Sequence, residues 1–154
     1  MSFTSLIKAT IVVVCLFGSR IGQAQNLSVY RSEADVDETV NRLVAVIEQD
    51  ADLIFFETVH HDDIARERGL KLAPTRSILF EDPTLTTQLI NCQQTAALDL
   101  PLEILVWEEH GDVYIGFVDP KFMKRRFMIT SCDDTIQALS RLMVKVTMDA
   151  IRKL

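Results

Sequence analysis

The chain has 154 residues, of which 48% are hydrophobic and 25% charged, and its formal net charge is −6. An acidic chain is repelled by the phosphate backbone, so nucleic acid is excluded as an expected partner. The length suits one domain with its own hydrophobic core and is too short for two ordinary domains.

Residues 1–24 predict a secretory signal peptide. A lysine precedes an apolar run at residues 9–18, and small residues precede a cleavage site between Ala24 and Gln25. The run is shorter than a bilayer span requires, so we expect no membrane span after cleavage; an uncleaved membrane anchor is the alternative. Residues 25–154 then form a single periplasmic or secreted domain.

The first half of the mature chain carries two strand patterns and two helix patterns. Residues 27–33 alternate as a first strand, and Asp35 then offers a cap for an amphipathic helix. The apolar stripe of that helix consists of Val36, Val40, Leu43, Val44 and Ile47. Residues 53–60 predict a second strand, rich in aromatic and β-branched residues. Residues 62–68 predict a short helix, because two acids open it and Gly69 follows it.

The second half carries three strand patterns and a long helix pattern. Residues 73–82 predict a third strand, and residues 84–92 predict one or two helical turns. Residues 98–120 predict a β-hairpin that turns at His110 and Gly111. The final segment predicts a long amphipathic C-terminal helix.

The element order is β-α-β-α-β-(α)-β-β-α, which predicts an α+β fold with a mainly antiparallel sheet. The long C-terminal helix and the second amphipathic helix are expected on one face of that sheet. In residues 53–56, 77–80 and 103–107 successive residues are apolar, so both faces of the sheet are expected to need cover. A partner subunit, a ligand, the small central helix or the loops could each provide it.

The stretch ETVHHDDIARERG places His60 and His61 beside Asp62 and Asp63. Adjacent side chains diverge on strands and on helices, so these histidines are poorly placed to share one ion, and no metal is expected. The two aspartates most simply cap the short helix and complement its dipole. His61 has two interpretations, a structural hydrogen bond at the strand–helix junction or the general base of an enzyme.

Other candidate residues are an aromatic pair and one basic cluster. Trp107 and Tyr114, on paired strands, either line a pocket or belong to the core. Residues 121–128 are basic on an otherwise acidic chain, and they either hold an anionic group or form a solvated loop. Neither a glycine-rich phosphate loop nor a hydrolase pair of carboxylates is evident, so no cofactor is expected.

Two of the three cysteines, Cys92 and Cys132, remain once Cys15 leaves with the signal peptide. An exported compartment is oxidising, so the two form either a disulfide or a pair of buried free thiols. A bridge would stabilise the fold by about 4 kcal/mol on the chain-entropy model.

Residues 30–151, nearly all of the mature chain, carry five motifs in order. These are His61-x-x-x-Ala65-x-x-x-Gly69, Leu72-x-Pro74-Thr75, Phe80-x-x-Pro83, ALDLPL at residues 97–102, and Trp107-Glu108 leading to Asp119-Pro120. On these motifs the chain resembles the bacterial domain-of-unknown-function family three hundred and two. The resemblance implies a fold of the TATA-box-binding-protein-like group, with a curved antiparallel sheet that grips a long helix, and it is compatible with dimers. It implies no established reaction.

The chain also departs from the family pattern. Glu81 and Asp82 stand where the family has Gly and Asn, and Glu81 lacks the backbone freedom that lets a ligand approach closely. Phe127 follows Arg126 where many members have a histidine, so a site built on two histidines would be incomplete. His61 and Arg126 match the family motifs and are therefore the preferred polar anchors for a ligand.

Together these patterns predict an exported, single-domain protein that binds a small molecule or a partner protein without catalysing a reaction. The ligand-binding candidates are His61, Trp107, Tyr114 and Arg126. One alternative is an enzyme that uses His61 as its acid or base. Another is a homodimeric interaction module that buries a face of the sheet.

Overall fold

The computed structural model describes residues 26–152, so the predicted signal peptide, residues 1–24, lies outside the described residues. The strands are β1 Leu27–Ser32, β2 Ile54–His60, β3 Thr75–Glu81, β4 Leu102–Glu109 and β5 Asp112–Val118. The helices are α1 Val36–Gln49, α2 His61–Glu67, α3 Pro83–Cys92, α4 Lys121–Arg126 and α5 Asp133–Ile151, with a 3₁₀ segment at Gln94–Asp99. One antiparallel sheet has the order β1-β5-β4-β3-β2. The predicted α+β fold and element order are confirmed.

Two aspartates fix where helices begin. Asp35 caps α1 by accepting a hydrogen bond from the backbone N–H of Glu38 at 2.7 Å. Asp82 caps α3 by accepting from the N–H groups of Thr84 and Leu85, both at 2.9 Å. With this cap, α3 is a helix of ten residues, longer than the one or two turns predicted.

The β4–β5 hairpin forms as predicted. His110 and Gly111 connect the strands with φ angles of +55° and +85°. Both angles are positive, as a two-residue type I′ turn requires. The backbone twist of such a turn matches the twist of the flanking strands. The turn sets the register that places Trp107 opposite Tyr114.

One face of the sheet, which we call the inner face, packs against α1 and α5. Its central side chains are completely buried: Ile78, Phe80, Ile104, Val106 and Ile115. The helices meet them with buried stripes formed by Val36, Val40, Leu43 and Ile47 of α1 and by Ile136, Leu139, Met143 and Val146 of α5. Each such side chain contributes about 1.5–3 kcal/mol on burial. The predicted placement of both amphipathic helices on one face is confirmed.

The basic segment after β5 is helical, whereas the sequence suggested a loop. It forms α4, which begins where the carboxylate of Asp119 accepts a hydrogen bond from the N–H of Lys121 at 2.9 Å. Only Met123 of this helix is buried, so the segment lacks the apolar periodicity that predicts a helix. Within residues 26–152, no helix combines the length and the apolar character needed to cross a membrane.

Candidate functional site

The opposite face of the sheet, which we call the outer face, points away from α1 and α5. Cross-strand pairing sets one row of residues across all five strands: Val29, Gly116, Leu105, Ser77 and Val59. Alternation along the strands adds Leu27, Leu79 and Val118 to the same face. Leu27, Val29 and Val118 remain 47%, 42% and 57% exposed, so the described part of the chain leaves much of this apolar surface open.

Trp107 and Tyr114 form a stacked pair on the outer face. Their ring centroids lie 5.5 Å apart with 28° between the ring planes. Both side chains are half-buried. The indole ring extends over the next strand, because a Cβ added to Gly116 would lie 3.3 Å from two of its carbon atoms. The absence of a side chain at Gly116 therefore lets the indole lie close to the sheet.

His61 lies at the same end of the outer face as the aromatic pair. Its ring Nε2 is 3.0 Å from the Oγ of Ser77, in a hydrogen bond whose direction depends on the histidine tautomer. Ser77 is two residues from Thr75, which pairs with Trp107 across the sheet. The hydrogen bond fixes the imidazole against β3, in agreement with the structural interpretation of this histidine.

The neighbouring aspartates do not cap α2 as the sequence suggested. The N-cap of α2 is His60, and it makes no side-chain capping bond. The carboxylate of Asp62 accepts a hydrogen bond from the N–H of Thr75 and forms an ion pair with the buried Arg76. Asp63 pairs instead with Arg66 at 2.9 Å. Asp62 therefore joins α2 to β3, because a buried guanidinium requires a carboxylate close by.

Arg126 lies at the other end of the sheet. Its guanidinium is 2.9 Å from the carboxylate of Asp99, in the 3₁₀ segment before β4. The two side chains line a cavity of about 460 Å³, together with Leu27, Leu79 and Val118 of the outer face. Of the four predicted ligand-binding residues, Trp107 and Tyr114 thus contact each other and His61 lies at the same end of the outer face, whereas Arg126 lines a cavity at the other end.

The basic cluster of α4 has acceptors within the chain. Lys124 pairs with Asp133, Arg126 pairs with Asp99, and Arg125 donates to the side-chain oxygen of Asn26 at 2.7 Å. Such local pairing leaves little positive charge free to attract an anion. No group of three or more His, Cys, Asp or Glu side chains within the described range is arranged to hold a metal ion.

Cys92 and Cys132 are joined in a disulfide in the structure, with their Cα atoms 6.5 Å apart. Cys92 is the last residue of α3, and Cys132 immediately precedes α5. The bond therefore links the end of one helix to the start of the other.

Sequence reasoning missed several partners of the candidate residues, namely Ser77, Arg76, Asp99 and Gly116. For two of these residues, Asp99 and Gly116, the sequence contains a pattern from which the role could have been predicted. Asp99 lies inside the ALDLPL motif, and a glycine within a strand commonly marks a close approach of another group. The bonds from His61 to Ser77 and from Asp62 to Arg76 depend on how β2, α2 and β3 meet in space, which local patterns do not specify.

Two curated relatives share sequence with the chain. It is 36% identical over 110 residues to "Fluoride-specific ion channel FluC 1" of Brucella suis biovar 1, an alignment covering 70% of this chain and 43% of that protein. The protein of the same name from Brucella abortus biovar 1 is also 36% identical over 110 residues, with 40% of its length covered. The chain thus spans about two fifths of the length of these relatives.

A solved structure and a family model are similar over most of the chain. The crystal structure of an uncharacterized conserved DUF302 protein from Bacillus stearothermophilus superposes with a TM-score of 0.68 at 17% identity, covering 83% of this chain and 97% of that one. At this identity the likeness concerns the fold alone. The family model for domain of unknown function DUF302 matches residues 28–146. The chain therefore belongs to the DUF302 family.

Proposed function

We propose that this protein is an exported binding module that takes up a small apolar ligand or a partner protein on its outer face and catalyses no reaction. The observation that carries the proposal is the half-exposed apolar side chains of Leu27, Val29 and Val118 on the same face as the Trp107–Tyr114 pair. Apolar surface open to water costs about 25 cal/mol per Å² relative to buried surface. Contiguous patches of this kind mark binding surfaces in soluble proteins.

The cavity where the outer face ends supports a small-molecule ligand. Its volume of about 460 Å³ lies in the range of ligand sites, which are mostly apolar with a few fixed polar groups. The polar groups of this cavity include Arg126 and Asp99, whose ion pair can exchange one partner for a ligand atom. Leu27 and Val118 lie on both the cavity wall and the outer face, so one ligand could contact both.

The geometry around His61 favours binding over catalysis. The hydroxyl to which it is hydrogen-bonded, that of Ser77, belongs to a residue only 3% exposed. A nucleophile needs room for its substrate, and a general base needs a reachable proton. The pair therefore fits a fixed structural element, and a histidine-dependent enzyme is the less supported alternative.

Export is supported by the pattern of residues 1–24. The lysine, the apolar run and the small residues before Gln25 are the three parts of a cleavable signal. We expect protein recovered from the periplasm or the medium to begin at Gln25 when sequenced from its N-terminus. An intact N-terminus on membrane-bound protein would favour the uncleaved anchor.

A second candidate function follows from the two Brucella relatives, which are named as fluoride-specific ion channels. In this candidate the domain acts beside a membrane channel and changes its transport. Cells that express such a channel with and without this protein would be compared for fluoride efflux with an ion-selective electrode. A change in efflux caused by the protein supports the candidate, and equal efflux argues against it.

A neutral apolar dye tests the leading proposal. N-phenyl-1-naphthylamine is titrated into the protein while energy transfer from Trp107, the one tryptophan of the chain, is recorded. We expect binding close to Trp107 that weakens severalfold in Val29→Ser, which removes apolar surface from the outer face. Val144→Ser is the matched control, because Val144 is 40% exposed on α5 and Val29 is 42% exposed.

Two results would contradict the proposal. One is no transfer from Trp107 at any dye concentration. The other is equal weakening in both serine variants, which would mean that the dye does not distinguish the outer face from the helical layer.

A further inference from the structure

We propose that the natural occupant of the outer face is a polypeptide segment in which lysines or arginines alternate with apolar residues. This inference rests on the proposed function and names the partner chemistry that the same face would select. It comes from the charges around the apolar surface, from their pairing, and from the size of the face.

The outer face is rimmed by acids that have no counter-charge. Glu57, Glu81, Glu103 and Glu109 point to this face by strand alternation, and none has an ion-pair partner among residues 26–152. Arg31, the one basic residue on the strands of this face, already pairs with Asp112. The face therefore carries a net negative charge beside its apolar centre.

The basic cluster of α4 does not offset the acids of the outer face, because its side chains already have other acceptors. All four basic residues of α4 have acceptors within the chain. The segment at residues 61–72, which borders the face, holds three acids and three bases and so leaves the balance unchanged. Unpaired acids on one face provide electrostatic complementarity for a cationic partner.

The arrangement of the outer face suits the side chains of lysine and arginine, which join a charged end to an apolar methylene chain. Glu103 lies on the central strand β4, two residues from Leu105 and opposite Leu79. A lysine or arginine can lay its methylene groups over such leucines while its charged end meets the carboxylate. A guanidinium can also stack on the Trp107–Tyr114 pair, since both ring types attract cations.

The same features disfavour a second copy of the chain on this face. Two copies face to face would oppose like charges, which costs free energy at a close interface. Five strands about 4.8 Å apart and about 20 Å long give the face an area of about 500 Å². A stable interface buries about 800 Å² per partner, so two copies joined here alone would fall short. A single extended segment needs no more than the area available.

Two labelled peptides test the inference on the full chain. One alternates lysine with leucine over eight residues, and the other alternates glutamate with leucine over the same length. Binding is measured by fluorescence anisotropy at low salt and at 0.3 M salt, where exposed charges are largely screened. We expect the lysine peptide to bind, the glutamate peptide to bind at least tenfold more weakly, and the difference to shrink in salt.

Two charge-reversed variants locate the effect. Glu103→Lys should weaken binding of the lysine peptide about three- to tenfold, as expected for replacing an exposed attraction with a repulsion. Glu48→Lys changes the net charge equally but lies on α1, in the helical layer, and should leave affinity within about twofold. Circular dichroism checks that both variants fold.

The outcomes separate this inference from the proposed function. If both peptides bind equally, or if both lysine variants weaken binding equally, the outer face does not select a cationic segment. If neither peptide binds while the neutral dye still does, the cationic partner is wrong and the binding module stands. If neither the peptides nor the dye bind, both the cationic partner and the proposed binding module are wrong. A dimer at micromolar concentration in sedimentation, broken by Val29→Ser, would assign the face to a second copy.

Discussion

The indole ring of Trp107 lies against Gly116 on the neighbouring strand, in the space that any larger residue would occupy. A Cβ at position 116 would lie 3.3 Å from the ring and 2.8 Å from the backbone carbonyl oxygen of Ser28. The glycine therefore serves both the aromatic pair and the close pairing of β1 with β5.

Replacing Gly116 should consequently destabilise the fold. We expect Gly116→Ala to lower the free energy of unfolding by about 1–3 kcal/mol, in the range of overpacking in a tight site. The measurement is urea unfolding followed by circular dichroism. In a Trp107→Leu background most of the loss should persist, since the carbonyl of Ser28 is rigid and the ring can move. Complete rescue by Trp107→Leu would assign the strain to the ring instead.

Asp62 and Asp63 should differ sharply although they are neighbours. Asp62 is 12% exposed and pairs with the buried Arg76, whereas Asp63 is 38% exposed and pairs with Arg66 at the surface. We expect Asp62→Ala to cost about 3 kcal/mol, because it leaves the buried guanidinium of Arg76 with only the exposed carboxylate of Asp37, 3.6 Å away. Asp63→Ala should cost about 0.5 kcal/mol. Urea midpoints of the two variants give the comparison, and equal losses would contradict the role of Asp62.

The fold was predictable where a structural element is determined by residues close together in the sequence. The cap at Asp35, the turn at His110 and Gly111, and the apolar stripes of α1 and α5 each act within a few residues. α4 was missed because six residues with one buried side chain carry no periodicity. Such a helix exists because the folded chain positions Asp119 and the acceptors around it.

The site was predictable only in part, for a related reason. Strand alternation places Trp107 and Tyr114 on one face, so their pairing follows from the hairpin register. The partners of His61 and Asp62 lie on β3 and depend on how α2 packs there. The sequence treats both aspartates alike as capping acids, and tertiary packing alone distinguishes them.

The disulfide should contribute strongly to stability. Cys92 and Cys132 are separated by 40 residues, and closing a loop of that length contributes about 4 kcal/mol on the chain-entropy model. We expect dithiothreitol to lower the urea midpoint of the native protein and to leave the Cys92→Ser/Cys132→Ser double variant unchanged. A native protein insensitive to the reductant, with both thiols reactive after denaturation alone, would show that the two cysteines are not bridged.

Finally, the hydrogen bond between His61 and Ser77 should stabilise the fold without supporting turnover. We expect His61→Ala and Ser77→Ala each to cost about 1–2 kcal/mol, with a coupling of about 1 kcal/mol in the double-mutant cycle. His60→Ala is the control, since His60 is exposed and its ion pair is with the surface residue Asp63. Hydrolysis of p-nitrophenyl acetate should stay at the buffer rate for every variant. Native hydrolysis above that rate, lost in both His61→Ala and Ser77→Ala but kept in His60→Ala, would instead make the pair catalytic, because only a reacting dyad needs both groups.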